Sequence, residues 1–315
     1  MKKTTIILIA VVSIGLGFLP SVIKDNSTLT ILSNVLLYVA LASSWNILGG
    51  FAGQISLGHS AFFGLGSLVT RLLWFAGWPL LVAMFLGGIV AVLFALLIGF
   101  PAFKLKGAYF TIGTLALSQI LFMTIGNIFA TSSALPIEIL RNYDIVPRYI
   151  LFLSVAVITV LTSYFLAKSS FGLGMQAVRE EEDAAESLGV NAFQHKLTAL
   201  LVSSFLAGLA GGAFAFYHVG YYPYYPFNPI WSLDSQMMAF IGGTGTIVGP
   251  IIGAVFFELL KEFLSLRLPK FHLTVFGVLF ILVVLFLPEG LVGIWSKIKG
   301  LRIFKPKQSG ETEVL

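Results

Sequence analysis

The sequence predicts an all-α polytopic membrane protein with about 8–10 transmembrane helices, including broken or re-entrant segments. Three observations carry that prediction. Of the 315 residues, 57% are hydrophobic and only 10% are charged, whereas a soluble chain carries roughly a quarter charged residues. The apolar residues fall into runs of about twenty, the length of helix that crosses a bilayer at 1.5 Å per residue. Gly 32 and Phe 29 fit the same setting, because glycine lets helices touch in lipid and phenylalanine tolerates acyl chains. The absence of cysteine excludes disulfides and thiolate metal sites. The net charge of +5 is spread over loops and termini, which is not the footprint of a nucleic-acid partner.

The first element reads MKKTTIILIAVVSIGLGFLPSVI. Lys2 and Lys3 before an apolar run also open a signal peptide. This run has no small-residue cleavage site behind it, so a retained first span is expected. Further spans are expected near 29–48, 59–78, 79–102, 107–130, 148–167, 197–218, 231–247, 248–264 and 271–287. The 34 residues at 231–264 are too long for one span and short for two, so their glycines indicate a broken pair.

Cations orient the chain. With the N-terminus inside, the inner set is Lys2, Lys3, Lys104, Lys106, Lys168, Arg179, Lys196, Lys297, Lys299, Arg302, Lys305 and Lys307. The outer set is Lys24, Arg141, Arg148, Lys261, Arg267 and Lys270. The bias holds only if 231–264 crosses twice, which places both termini in the cytoplasm. The chain then divides into a transmembrane domain at 1–296, containing a cytoplasmic loop at 168–196, and a basic tail at 297–315. Arg71 falls within a span and is expected to snorkel to the outer interface.

Residues 46–67 read NILGGFAGQISLGHSAFFGLGS. Gly49, Gly50, Gly53, Gly58, Gly64 and Gly66 rule out a strong isolated helix. In a membrane such a run means either tight helix contacts or backbone that leaves the helix beside a protected cavity. Gln54, Ser56 and His59 add polar groups. His59 either faces a translocation cavity or bonds a loop carbonyl. A second run, GGTGTIVGPIIGA at 242–254, echoes the first through Gly242, Gly243, Gly245 and Gly249. Glycine-interrupted segments at corresponding places in two halves point to a translocation path, although packing demand alone also produces them. Gly87 is expected on a lipid-facing surface. Asp234 is expected to cap the helix it opens, and Glu258 to pair with Lys261 at helical spacing.

Residues 172–212 begin polar and end apolar, so they hold a membrane boundary. Between Arg179 and Glu186 lie five acids, and Gly189 sits where a glycine would stop a helix of about ten residues. So charged a helix between two spans must sit in water. Arg179, Glu182-Asp183-Ala184-Ala185, Leu188-Gly189-Val190-Asn191, Lys196 and the run at 203–212 resemble the cytoplasmic loop of an ABC-importer permease. The form is similar to the branched-chain amino-acid (LivM-like) group. The run GFAGQISLGHSAFFGLG at 50–66 resembles the signature of that family, and Lys104-Leu105-Lys106-Gly107-Ala108-Tyr109-Phe110 with Thr114-Leu115-Ala116 resembles another of its blocks.

The resemblance implies that Arg179, Glu182, Asp183, Ala184, Ala185 and Gly189 form a coupling helix docking on an ATPase. It also implies two ATPase subunits, a second homologous permease, an extracytoplasmic solute-binding protein, and a place in the inner membrane of a bacterium or archaeon. Branched-chain amino acids are the implied cargo, with urea or short amides as the alternative. No G-x-x-x-x-G-K-[ST] and no H-E-x-x-H occurs, so no catalytic or metal constellation is expected and ATP with Mg belongs on the partner. A stand-alone ion-coupled carrier remains the other class, but it does not need the acidic helix at 179–189.

Overall fold

The computed structural model describes residues 3–129, 133–134, 143–267 and scattered positions between 274 and 293. The tail at 297–315 and most of the span expected at 271–287 lie outside the described residues.

The chain begins with α1 (Lys3–Val22) and α2 (Asn26–Asn46), which runs on into a π-helical turn at Ile47–Phe51. Asp25 starts α2 by accepting from the N–H groups of Ser27 and Thr28. After an unwound link come α3 (His59–Phe75), α4 (Leu80–Ala102), α5 (Ala108–Ile128) and α6 (Ile145–Lys168). Two short helices, α7 (Ser170–Glu180) and α8 (Glu182–Ser187), precede the long α9 (Ala192–Tyr217). The described helices close with α10 (Ile230–Gly242) and α11 (Gly249–Arg267). One two-residue bridge, Ser133 opposite Tyr221 and Ala134 opposite Gly220, is antiparallel.

Among the described residues, five helices are long and apolar enough to cross a membrane: α2 with its π turn, α4, α5, α6 and α9. The apolar stretches of α2 and α9 are 78% and 72% buried, against 17% for α5. The first two are therefore the central pillars, and α5 leaves most of its surface outside the bundle. The helix α10 has 13 residues, about 20 Å of rise, well short of a 30 Å hydrocarbon core. It folds back on α11 at a glycine contact, where a Cβ on Gly242 would strike the Gly249 carbonyl and one on Gly253 the Met238 carbonyl. The expected broken pair is thus a hairpin.

Small residues set the packing of α3, α4 and α9. A Cβ on Gly66 would collide with the backbone of Gly208, and one on Gly211 with the Phe63 carbonyl. Gly87 belongs to this contact and does not face lipid, since its Cβ would lie 2.7 Å from the Gly66 oxygen.

Arg71 also departs from expectation. It is buried, and its Nη1 donates to the carbonyls of Ala215 (2.8 Å) and His218 (3.3 Å), while Nη2 donates to that of Val219 (3.3 Å). Arg148 Nε donates to the Phe216 carbonyl at 3.3 Å. The reason is electrostatic: the last carbonyls of α9 lack helical partners and carry the negative end of its dipole. Arg148 and Arg71 gather at the end of α9, whereas Arg179 and Lys196 sit at its beginning.

Candidate functional site at the junction of two broken helices

Three stretches singled out in the sequence meet at one end of the bundle. The α2 pillar widens into its π turn after Asn46 and unwinds after Phe51, and the hairpin breaks between α10 and α11. Asn46 joins the two breaks: its Nδ2 donates to the Thr246 carbonyl at 2.8 Å, and its Oδ1 accepts from the Gly245 N–H at 2.9 Å. Arg179, near the end of α7, closes the junction by donating from Nη1 to the Gly50 carbonyl at 2.7 Å. Glu180 holds the other side of the same guanidinium at 2.6 Å.

The glycines here make room for that arginine. Gly53 has φ +70, and a Cβ on it would lie 2.6 Å from Arg179 Cγ. Gly245 has φ +74, and its Cβ would meet Arg179 Nη1. A Cβ on Gly50 would lie 2.7 Å from the Gly245 nitrogen, and one on Gly49 would run into the Trp45 ring. Within the second break, Thr246 Oγ1 donates to the Gly243 carbonyl (2.8 Å) and accepts from the Gly249 N–H (3.0 Å). The echo between the two glycine runs therefore has a spatial counterpart: the runs touch.

The glycine-rich run at 46–67 divides into an unwound half and a helix-contact half. Residues 52–58 leave the helix, and hydroxyls of α5 satisfy their backbone, as apolar surroundings demand. Leu57 N–H donates to Thr114 Oγ1 (3.1 Å), Ser118 Oγ to the Leu57 carbonyl (3.0 Å), and Thr111 Oγ1 to the Ile55 carbonyl (2.8 Å). Ser56 Oγ accepts from the Gly58 N–H, while Gln54 stays half-buried with its amide 3.4 Å from the Ala52 carbonyl. Gly64 and Gly66 lie inside α3 as contact points. His59 fits neither expectation. It is buried, and its Nε2 pairs with Ser44 Oγ at 3.2 Å, not with a carbonyl.

The acidic loop is two helices and not one. Glu181 (φ −157, ψ 112) is extended and breaks the run between α7 and α8. Gly189 does end α8, at φ +86, and Asn191 caps α9 by accepting from the Gln194 N–H. Glu182 turns inward to Lys196 Nζ at 2.5 Å. Ala185 is buried against Val178 and Ala192, so it is not a free docking surface. The outer face carries Asp183, Ala184, Glu186 and Leu188, the last 84% exposed.

The acids and cation of the hairpin are arranged differently from their sequence spacing. Asp234 lies inside α10 and caps nothing; Asn228 Oδ1 instead accepts from the Ile230 N–H at 3.0 Å. Lys261 does not bond Glu258 but donates to Tyr38 Oη at 2.8 Å and sits 3.8 Å from Asp234. Their sequence signal was charge inside apolar spans. Among the described residues no group of His, Cys, Asp and Glu has the arrangement of a metal site.

With this geometry in view, the profile described as branched-chain amino acid transport system / permease component matches residues 27–284. The chain belongs to that permease family. LivM of Salmonella typhimurium, a high-affinity branched-chain amino acid transport system permease protein, is 26% identical over 92% of the chain and 75% of its own length. LivM of Escherichia coli K12 is 25% identical over the same shares. A nucleoside ABC transporter permease protein of Lactococcus lactis, NupC, is 33% identical over 29% of the chain and 24% of its own length. No solved structure matches. The relatives are transport permeases, so the family is not one of enzymes, and its apolar helices make this permease a multi-pass membrane protein.

Proposed function

We propose that this permease is the transmembrane subunit of an ABC importer for branched-chain amino acids or similar small polar solutes. ATP with Mg is hydrolysed by ATPase subunits that dock on α7 and α8, and a second homologous permease completes the pathway. An extracytoplasmic solute-binding protein delivers cargo at the end where Arg71 and Arg148 lie, so that the coupling loop faces the cytoplasm. The observation that carries this reading is Arg179, which bonds the first helix break at Gly50 and packs against Gly245 of the second. Its neighbours make the tie stiff: Lys196 anchors α8 to α9, and the Phe171 ring stacks on His195 with centroids 4.1 Å apart. Movement of the loop by an ATPase is thereby delivered to the breaks and not absorbed in a slack linker.

The cargo follows the relatives matched over most of their length, both named for branched-chain amino acids. Docking uses the exposed Leu188 and the small Ala184 beside it, with Asp183 and Glu186 setting orientation. The test is Leu188→Asp in the reconstituted importer. Assembly of the two permeases should be normal, while ATP-driven uptake falls at least tenfold. Uptake at the wild-type rate with full ATPase recruitment would remove Leu188 from the docking surface.

A further inference from the structure

A cavity of about 280 Å³ lies at the end of the bundle opposite the junction. Tyr38 on α2, Phe214 on α9 and Trp231 on α10 form its aromatic wall, and Glu258 and Lys261 on α11 supply charge. Glu258 is only 5% exposed, yet its Oε2 has no hydrogen-bond partner. A buried carboxylate oxygen left unpaired is unfavourable, and such groups mark places where a further donor belongs. Lys261 Nζ is engaged by Tyr38 and Asp234, but an ammonium has three donors and this one borders the cavity. One wall thus needs a donor and a neighbouring group has a donor to give, while Asn34, His218, Glu262 and Ser265 add polar groups beside the aromatic wall.

We propose that this cavity binds a free α-amino acid, its ammonium on the Glu258 carboxylate and its carboxylate on Lys261 Nζ. The apolar side chain lies against Tyr38, Phe214 and Trp231. The inference rests on the amino-acid import proposed above and adds the place where this chain itself holds the cargo. Glu258 and Lys261 are three apart on one helix, neighbours with Cβ atoms about 5–6 Å apart. That separation suits two opposite charges borne by a single carbon. Such charge-assisted contacts inside an apolar wall are how small-ligand sites fix orientation.

The cavity also sits on the helices that lead to the junction. From Tyr38 to Asn46 along α2, and from Asp234 to Gly242 along α10, the rise is about 12 Å. A ligand wedged between α2 and α11 therefore bears on the same helices whose far ends Asn46 and Arg179 hold together. Occupancy of the cavity and the state of the coupling loop become linked.

The test is equilibrium binding of radiolabelled leucine to the complete permease–ATPase complex in nanodiscs, without solute-binding protein, alongside leucine uptake in proteoliposomes. Glu258→Gln keeps size and hydrogen-bonding capacity, and Lys261→Met keeps the stem. Each should weaken binding about 10- to 100-fold, the span expected for a lost charged contact. Wild-type complex should prefer leucine to 4-methylpentanoate, which lacks the ammonium, and Glu258→Gln should erase that preference. Assembled yield of both cavity variants guards against misfolding, and two variants from different chemistry keep the test open if one fails to assemble. Leucine uptake without leucine binding to the complex, or unchanged binding in both variants, overturns the cavity and leaves the importer standing. Absence of both uptake and binding overturns both.

Discussion

Replacing Gly53 and Gly58 by alanine separates the two kinds of glycine in the unwound link. Neither lies in a helix, so improved helix propensity has no part in the outcome. At Gly53 an alanine must hold φ +70, a left-handed conformation costing about 1–2 kcal/mol. Its Cβ would also lie 2.6 Å from Arg179 Cγ and 3.2 Å from Arg179 Cα. Because backbone is among the obstructing atoms, the side chain alone cannot clear the clash, and α7 must withdraw. Withdrawal breaks the Arg179–Gly50 hydrogen bond, a charged contact of about 1.5–3 kcal/mol. Together the junction loses about 2.5–5 kcal/mol, which at about 1.4 kcal/mol per decade is roughly sixtyfold or more in its population.

Gly58 has an ordinary φ of −92. A Cβ there lies 3.1 Å from Thr114 Cβ and 3.2 Å from its carbonyl oxygen, so α5 gives by a few tenths of an ångström and no charged bond is broken. Overpacking of about 1 kcal/mol is offset by about 0.4–1 kcal/mol from a stiffer unfolded chain. The assay is uptake and substrate-stimulated ATP hydrolysis in proteoliposomes, normalised to assembled complex. Gly53→Ala should cut coupled uptake tenfold or more, with Gly58→Ala within about twofold of wild type. Since the arginine is the obstacle, Gly53→Ala combined with Arg179→Ala should lose less than the two separate losses added. Equal effects at the two glycines, or wild-type coupling in Gly53→Ala, would refute the role given to the junction.

Three further outcomes follow from the same structure. Arg71→Gln should lower the melting temperature of the purified complex and its assembled yield, because the carbonyl of Ala215 in α9 and those of His218 and Val219 just beyond it lose their charged donor; unchanged thermal stability would contradict the capping role. In this cysteine-free chain, Ser187→Cys should label with a membrane-impermeant maleimide only from the cytoplasmic side and Ser27→Cys only from outside, and the opposite pattern would invert the proposed orientation. Hydrogen bonds from Thr28 and Ser27 hold the Asp25 carboxyl below its ordinary 3.8. A depressed folded value means the α2 cap contributes fully above the carboxylate range and is lost as pH falls through that lower value, so Asp25→Ala should flatten the acid limb of stability against pH.

Much of this permease was legible in one dimension. Composition and runs of about twenty apolar residues determined a polytopic helical chain, because length against bilayer thickness is a local property. The acidic loop with Gly189 as its stop was equally local, since a left-handed stop and a water-exposed charge need no distant partner. What the tertiary structure decided is which face of each span meets protein. In a soluble helix the polar face announces the solvent side. Here lipid and the interior of the bundle are equally apolar, so nothing in the pattern around Gly87 says that it touches Gly66. Ala184 and Ala185 are identical in type and differ only because one faces Val178 and Ala192. The polar partners are also far apart in sequence: Arg179 finds a carbonyl 129 residues away, and Asn46 an N–H 199 residues away. A short polar side chain in an apolar medium takes whichever backbone break is nearest in space, and only the packed bundle fixes which one that is.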